Sequence, residues 1–370
     1  MKKVLVGMSG GVDSSVAAIL LKEAGYEVIG ATMKLWESDD EYIEGGCCNM
    51  NSTMDAKRVC DALDIPHYVL NFQEEFNKCV IQDFISEYKK CRTPNPCIEC
   101  NKYLKFGAMY EMAKKLNCDY IATGHYAKTE YSPEYKRYVL KKSNAGNKDQ
   151  SYVLYNLPKE LAGKILFPLG DFKSKDEIRK IAEEHNLLVA KKPDSEDICF
   201  IPDGDYKKFL EKNSNLKEKP GNIVTESGKV LGKHSGLYKY TIGQRKGLGI
   251  ANPVPLFVKG FNIEKNELIV GEEQEIFSKE TVANEINLIL IDEITKPIQV
   301  MAKIRYSAKE AKATIYPIEE DKIKVEFEEP QRAITPGQSI VFYIGDIVLG
   351  GGKIIWTNIW KEQKRQQIKE

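Results

Sequence analysis

Two groups of residues in this 370-residue chain have types and spacings that can do chemistry. The first is Ser9-Gly10-Gly11-Val12-Asp13-Ser14-Ser15, set between an apolar run and a helix-forming run at the amino terminus. Its paired glycines let the backbone approach a phosphate closely, and Asp13 and the serines open a helix whose leading amides favour an anion. The lysine of a Walker loop (GxxxxGK[ST]) is absent, which argues against a kinase or GTPase. The structural alternative is a glycine turn with a serine cap. The second group is made of thiols. Cys97 and Cys100 are three residues apart in Arg92-Thr93-Pro94-Asn95-Pro96-Cys97-Ile98-Glu99-Cys100-Asn101, so their sulfurs can face one way. The two prolines hold the loop extended, and the chain turns helical near Cys100. A thiol near a helix N-terminus beside Arg92 and Lys102 has a lowered pKa and is nucleophilic. A third thiol, Cys199, lies in the polar stretch 193–200. For a lone CxxC, a structural zinc half-site or a redox disulfide is the alternative.

These groups need elements to position them. An apolar strand at residues 3–7 leads through the glycine turn into a helix ending at Ala24. Strands follow at 26–34, 67–70 and 119–122, with helices at 54–63, 76–90 and 101–116 between them. The last strand ends in the polar turn Thr123-Gly124-His125. This alternation predicts an α/β fold with a mostly parallel sheet, helices on both faces and ligands at the carboxyl ends of the strands. Residues 7–14 and 123–125 both fall at that edge. Further helices are expected at 175–185 and 205–212. From about Gly221 the pattern changes to short strands: a glycine-rich unit reaching Gly249, then 300–306, 313–317, 322–327 and 339–349. That spacing predicts a small central β-rich domain and a C-terminal β-barrel. The expected divisions are 1–204, 205–279 and 280–370, with a frayed polar tail from Lys361.

Composition narrows the function classes. Fifty-four Lys+Arg balance 54 Asp+Glu, and 42% of residues are apolar, which excludes a wholly disordered or fibrous chain. No apolar run approaches the ~18 residues of a membrane span, so a cytoplasmic protein without a membrane partner is expected. Nine cysteines, an odd number, do not suggest a disulfide framework in such a chain. Cys47 and Cys48 are read as a pair on a mobile loop, and Cys60, Cys79, Cys91 and Cys118 as packing residues on or beside helices.

The string SGGVDSS after an apolar strand resembles the pyrophosphate-loop motif of ATP pyrophosphatases, the adenine nucleotide alpha-hydrolase-like enzymes that activate an oxygen as an adenylate. RTPNPCxxCN, GHYA, KDQSYVLY, SEDICFIP and YTIGQRKGLGI then occur in order, and each resembles a signature of the bacterial tRNA-specific 2-thiouridylases (tRNA-uridine 2-sulfurtransferases). The resemblance covers residues 1 to about 352. It implies a pyrophosphate-loop domain, a central domain and a β-barrel, and ATP-dependent replacement of oxygen 2 of the wobble uridine by sulfur. Carried over by motif, Gly7, Met8, Ser9, Gly10, Gly11, Val12, Asp13 and Ser14 bind ATP with Mg²⁺, while Met33 and Gly124 sit at the adenine and ribose. Cys199 receives persulfide sulfur from a donor such as a cysteine desulfurase or a sulfur relay protein. It attacks the adenylated carbon, and Cys100 resolves the intermediate, leaving a Cys100–Cys199 disulfide. One position departs from a common form of the family, which has Asp where this chain has Cys97. Cys97, Cys100 and Cys199 together can instead hold a 4Fe–4S cluster with one iron open to hydrosulfide. The persulfide and cluster routes both stay open at this stage.

The same resemblance makes Asn95, Pro96 and Cys97 contacts to the target base in the tRNA anticodon loop, with His125 beside it. Lys148, Asp149 and Gln150, and Arg305, Tyr306 and Gln338 in the barrel, become further RNA contacts. Loop bases are the part of an RNA that a protein can splay out and read. The neutral total charge conceals local imbalance. Residues 206–247 hold ten Lys/Arg against three Asp/Glu, whereas 263–293 hold two against nine. A basic central unit can grip phosphates. Two competing readings are a pyrophosphate-loop ligase acting on a small molecule, which needs neither the thiols nor the barrel, and a non-catalytic RNA-binding protein, for which SGGVDSS and the thiols have no use.

Overall fold

A computed structural model describes residues 1–36, 50–192, 198–319 and 321–357. Cys47, Cys48, the stretch 193–197 and the tail from Lys361 lie outside the described residues.

Short apolar runs build the first sheet. In β1 (Lys3–Gly7) the side chains of Val4, Leu5 and Val6 are fully buried, as expected of a central strand covered on both faces. The other strands of this half are β2 (Glu27–Lys34), β3 (His67–Asn71), β4 (Tyr120–Ala122) and β7 (Ile165–Leu166), which follows a hairpin of β5 (Ala127–Ser132) and β6 (Arg137–Lys142) that leaves the sheet. Their order is β3-β2-β1-β4-β7, parallel throughout, so the strand order reverses between β1 and β4. A crevice outside their carboxyl ends is where such sheets bind ligands.

Helices α1 (Val12–Glu23) and α2 (Met50–Ala62) follow β1 and β2. Two longer helices, α3 (73–89) and α4 (96–115), each contain a π-helical stretch, Asn77–Ile81 and Cys100–Ala108. The sequence suggests that α4 opens near Cys100, but it opens at Pro96. Proline is well suited to a first helical position, and Asn95 caps the helix by accepting from the Cys97 N–H at 3.2 Å. Helices α5 (Lys175–Glu184) and α6 (Tyr206–Asn213) complete the set of longer helices among the described residues. Tyr206 of α6 stacks on Tyr88 of α3 with centroids 4.8 Å apart.

The central unit pairs β8 (Gly221–Val224), β9 (Val230–His234), β10 (Phe257–Asn262) and β11 (Glu267–Gly271) in the order β10-β11-β8-β9. Beyond it, β12 (Phe277–Leu288), β13 (Ile298–Lys303), β14 (Ala311–Glu319), β15 (Lys322–Arg332), β16 (Ser339–Ile344) and β17 (Ile347–Thr357) form a sheet that closes by pairing β12 with β17. The expected parallel-sheet domain, central unit and barrel are all present. Three details differ from the sequence reading. The run 339–349 is two strands, because Gly345, at φ 60°, makes the turn between them. β7, β10, β11 and β12 occupy stretches assigned no strand. The β5–β6 hairpin, also unassigned, pairs with β17 through Lys141 and Ile347, so the amino-terminal half contributes two strands to the barrel sheet.

Polar contacts fasten the barrel to the thiol-bearing helix. Lys353 of β17, with its side chain 11% exposed, lies 3.5 Å from Asp83 in α3, 3.7 Å from Glu99 in α4 and 3.7 Å from Glu285 in β12. Burial alone would lower its pKa, but Asp83, Glu99, Glu285 and Glu87 outweigh this and hold it above the usual lysine range. Burial pushes Asp83 and Glu99 above the usual carboxylate range, with Lys353 opposing. Removing the cation strands buried carboxylates, so Lys353→Met should destabilise the protein by about 3 kcal/mol at neutral pH in urea unfolding. Carboxyls raised in the folded state bind protons more tightly there than in the unfolded chain, so the deficit should shrink as pH falls through their folded-state range. A deficit that grows on acidification would contradict this account.

Candidate active site

The loop between β1 and α1 is shaped by close backbone approach. Gly10 has φ 69°, and a Cβ there would lie 2.2 Å from the Ser52 carbonyl oxygen. Ser14 Oγ accepts from the Ser9 N–H at 3.2 Å and donates to the Gly11 carbonyl at 3.1 Å, which closes the turn. The cap residue of α1 is Gly11, which makes no side-chain capping bond, so the first amides of the helix are left to a ligand or solvent. Gly124 presses on the same turn: a Cβ there would lie 2.7 Å from both Asp13 C and Ser14 N.

Three side chains distant in sequence converge on this loop. Asp13 accepts from the Tyr126 hydroxyl at 2.7 Å and from Lys175 Nζ at 2.5 Å. Lys192 Nζ donates to the Gly10 carbonyl at 3.1 Å and to Asp55 at 3.0 Å. Lys175 opens α5, which Ser174 caps by accepting from the Glu177 N–H. Free helix amides and a narrow glycine turn at the strand ends, with two ammonium groups paired to Asp13 and Asp55, are the kind of arrangement that can receive an anion. The sequence reading missed Lys175 and Lys192, which stand 162 and 182 residues from their partners. Tyr126, 113 residues from Asp13, had only its place in GHYA as a signal. Of the expected ATP residues, Met8 and Val12 are 2% and 3% exposed and offer the loop only their backbone. Met33 is partly buried, packed on the core where β2 ends.

The thiol loop is held from the barrel. Gln338 Nε2 donates to the Thr93 carbonyl at 2.8 Å, and the Thr93 N–H donates to the Pro336 carbonyl at 2.9 Å. In α4, Cys97 is exposed and Cys100 is 8% exposed. Asn101 Nδ2 donates to the Val153 carbonyl at 2.8 Å, tying the helix to the KDQSYVLY segment. Cys199 is partly buried, and it packs with Ile198 against the apolar core that contains Cys100. Among the described residues no group of three or more His, Cys, Asp or Glu side chains is placed to hold a metal ion. Cys97, Cys100 and Cys199 as placed are therefore not gathered into a three-thiolate set.

His125 links the two groups. Its Nδ1 lies 2.7 Å from Thr123 Oγ1 and its Nε2 3.3 Å from Lys105 Nζ on α4. An ammonium only donates, so Nε2 accepts and Nδ1–H donates to Thr123. Burial, and then the Lys105 charge, hold the imidazole well below the usual histidine range. His125 also follows Gly124, which touches the turn of α1, and Lys105 is five residues beyond Cys100, about 7 Å along a helix.

The expected RNA residues divide by what they hold. Lys148 is exposed. Asp149 accepts from the Ser143 N–H at 2.8 Å and the Ser151 hydroxyl at 2.6 Å, and Gln150 Oε1 accepts from the Tyr126 N–H at 3.0 Å. These two residues shape a turn whose rim carries Lys148. Tyr306, 40% exposed, faces that rim, and the charges acting on its hydroxyl come from Asp149, Lys148 and Cys97. Arg305 is partly exposed beside it. Cys97, Lys148 and Tyr306, from both halves of the chain, are thus exposed within electrostatic reach of one another, whereas Pro96 is buried. In the basic central segment, Lys217, Lys219, Lys229, Lys233, Arg245 and Lys246 are exposed, while Lys239 is paired with Glu211 and Glu218.

Comparison with known proteins agrees with this layout. A family model described as a tRNA methyl transferase HUP domain matches residues 2–203, a tRNA methyl transferase PRC-barrel domain matches 207–272, and an aminomethyltransferase beta-barrel domain matches 278–354. The tRNA-specific 2-thiouridylase MnmA of Acetivibrio thermocellus is 54% identical over 356 residues, 95% of this chain and 99% of that protein. The proteins of the same name from Clostridium botulinum strain Alaska E43 and Clostridioides difficile strain 630 are 56% and 53% identical, each over 95% of this chain and 98% of theirs.

Two measurements check the geometry. Nuclear magnetic resonance titration should show the His125 ring neutral through the ordinary histidine midpoint of 6.5, and Lys105→Met should raise its pKa only partway, because burial is the larger cause. A wild-type midpoint near 6.5 would contradict the packing described. Gly124→Ala should cost ~1–3 kcal/mol in chemical unfolding, since the added carbon meets backbone that cannot rotate away.

Proposed function

Because the chain belongs to the tRNA-specific 2-thiouridylase family, we propose that it converts a uridine of tRNA to 2-thiouridine, using ATP to activate uracil oxygen 2. The observation that carries this reading is the bridge through Gly124, His125 and Lys105, which ties an anion-binding loop to a helix bearing two thiols. The family models are described by methyl transfer and the relatives by thiolation. Identity over nearly the whole length of the relatives, together with the thiols beside the loop, favours sulfur as the group transferred.

In this mechanism the ATP phosphates lie on the amides of α1, with Lys175 and Lys192 beside them. Oxygen 2 of the uracil attacks the α-phosphorus and pyrophosphate leaves, its charge met by the lysines and the helix N-terminus. The base becomes an O-adenylate, so its oxygen can depart as AMP. A persulfide on Cys199 attacks carbon 2, the carbon–oxygen bond breaks, and the base is joined to Cys199 through a disulfide. Cys100 then attacks Cys199 Sγ, and the base leaves as the 2-thiolate, with a Cys100–Cys199 disulfide remaining. A thiol reductant restores both cysteines, and a persulfide-carrying donor recharges Cys199. His125, neutral and tied to Lys105 and Thr123, positions rather than exchanges protons. Asn95, Pro96 and Cys97 border the target base, and Lys148, Arg305 and Tyr306 hold the RNA around it.

Mass spectrometry of tRNA nucleosides after incubation with ATP, Mg²⁺ and a sulfur source tests the proposal. ATP-dependent 2-thiouridine is expected with the wild type, and a yield lower by ~10²-fold or more with Cys199→Ser or Cys100→Ser. Wild-type protein that forms none would refute it. Cys97→Asp should retain activity if two thiols suffice, whereas its loss would give the third thiol a part in sulfur transfer.

A further inference from the structure

At the end of β13, Lys303 is half-buried with its ammonium over two tyrosine faces, 5.7 Å from the Tyr152 ring centroid and 5.3 Å from that of Tyr306. Tyr152 is fully buried and anchored, its hydroxyl donating to the Ser339 carbonyl at 2.8 Å. A ring face attracts a cation but offers its N–H groups no lone-pair acceptor. The acids that bear on Lys303 are Asp149 and Glu310, opposed by Lys142. Both are engaged elsewhere. Asp149 accepts from the Ser143 N–H and the Ser151 hydroxyl, and Glu310 is bonded to Lys142 at 2.7 Å. Among the described residues no oxygen accepts from the Lys303 ammonium. Burial accordingly holds its pKa below the usual lysine range, as expected of a cation whose desolvation no close anion offsets.

The location gives this cation a use. Tyr306, which shares it, is exposed within electrostatic reach of Cys97 and of the rim that carries Lys148. An RNA strand presenting a base to Cys97 brings its backbone past that rim, and a phosphodiester oxygen is the acceptor that the ammonium lacks. We propose that Lys303 is a phosphate-binding residue for the RNA, gripping the backbone next to the base delivered to the thiol site. The assignment rests on the tRNA reading above and extends it to a residue outside the recognised motifs. The alternative is a purely structural cap on the buried Tyr152, which a methionine of similar length would supply.

The test is tRNA binding measured by fluorescence anisotropy across a salt series, for wild type, Lys303→Met and Lys303→Arg. Loss of one phosphate contact on a single strand should flatten the slope of log K against log [salt] by ~0.7, equivalent to an affinity about 5-fold weaker at 0.1 M salt. Lys303→Arg, which keeps the charge over the same rings, should keep the wild-type slope. A Lys303→Met slope equal to that of wild type would overturn the assignment alone. So would an equal flattening by both variants, because the charge would then not be responsible. Wild-type protein without salt-dependent tRNA binding would overturn the tRNA reading itself, and this assignment with it.

Discussion

One buried cation, Lys353, joins the parts of this molecule. It sits on the last barrel strand yet answers Asp83 on one helix and Glu99 on the next, and Glu99 lies between the two thiols of α4. A carboxylate cluster of this kind is unfavourable unless a counter-charge is held among the acids. The barrel therefore cannot move away from the thiol helix without exposing that helix to uncompensated charge. The hydrogen bonds from Gln338 to Thr93 and from Tyr152 to Ser339 act across the same seam. An apparently peripheral barrel thus fixes the orientation of the loop that carries Cys97.

With that seam closed, the site has two centres linked through Gly124, His125 and Lys105. The anion loop is made of backbone and is braced by Lys175, Lys192 and Tyr126. The thiol helix is braced by the barrel and by the bond from Asn101 to Val153. His125 touches both through Thr123 and Lys105, and its burial beside a lysine keeps it neutral. A neutral ring between an anion site and a thiol adds no charge that would compete for the phosphates or the thiolate. Under the proposed function the labour divides into backbone for phosphates, sulfur for transfer, and aromatic and basic side chains for the RNA.

Much of the fold was legible in residue pattern. Short buried strands alternating with amphipathic helices give a parallel sheet, and its edge is where SGGVDSS and Thr123-Gly124-His125 fall. The misses have physical causes. The β5–β6 hairpin is polar on most of its positions, because its pairing is with β17 rather than with the parallel sheet, and local alternation does not reveal a partner two hundred residues away. Residues 339–349 read as one run because a two-strand hairpin with a short turn keeps the same apolar character on both sides. The start of α4 was displaced because proline, which breaks helix interiors, is also a good opening residue.

What the sequence determined by itself was chemical identity: a glycine turn without a Walker lysine, three thiols with defined neighbours, and motifs whose order marks a family. Those depend on residue type and short-range spacing, which survive in a string of letters. What only the tertiary structure decided was which charges meet. Lys175 and Lys192 reach the loop, Lys353 settles among acids, Lys105 adds to the burial that keeps His125 neutral, and Lys303 lies over two rings without an anion. Nothing local distinguishes these lysines from the others in the chain. Their roles arise from burial and from partners that folding alone brings within a few ångströms, because electrostatic interactions depend on distance and desolvation rather than on sequence separation.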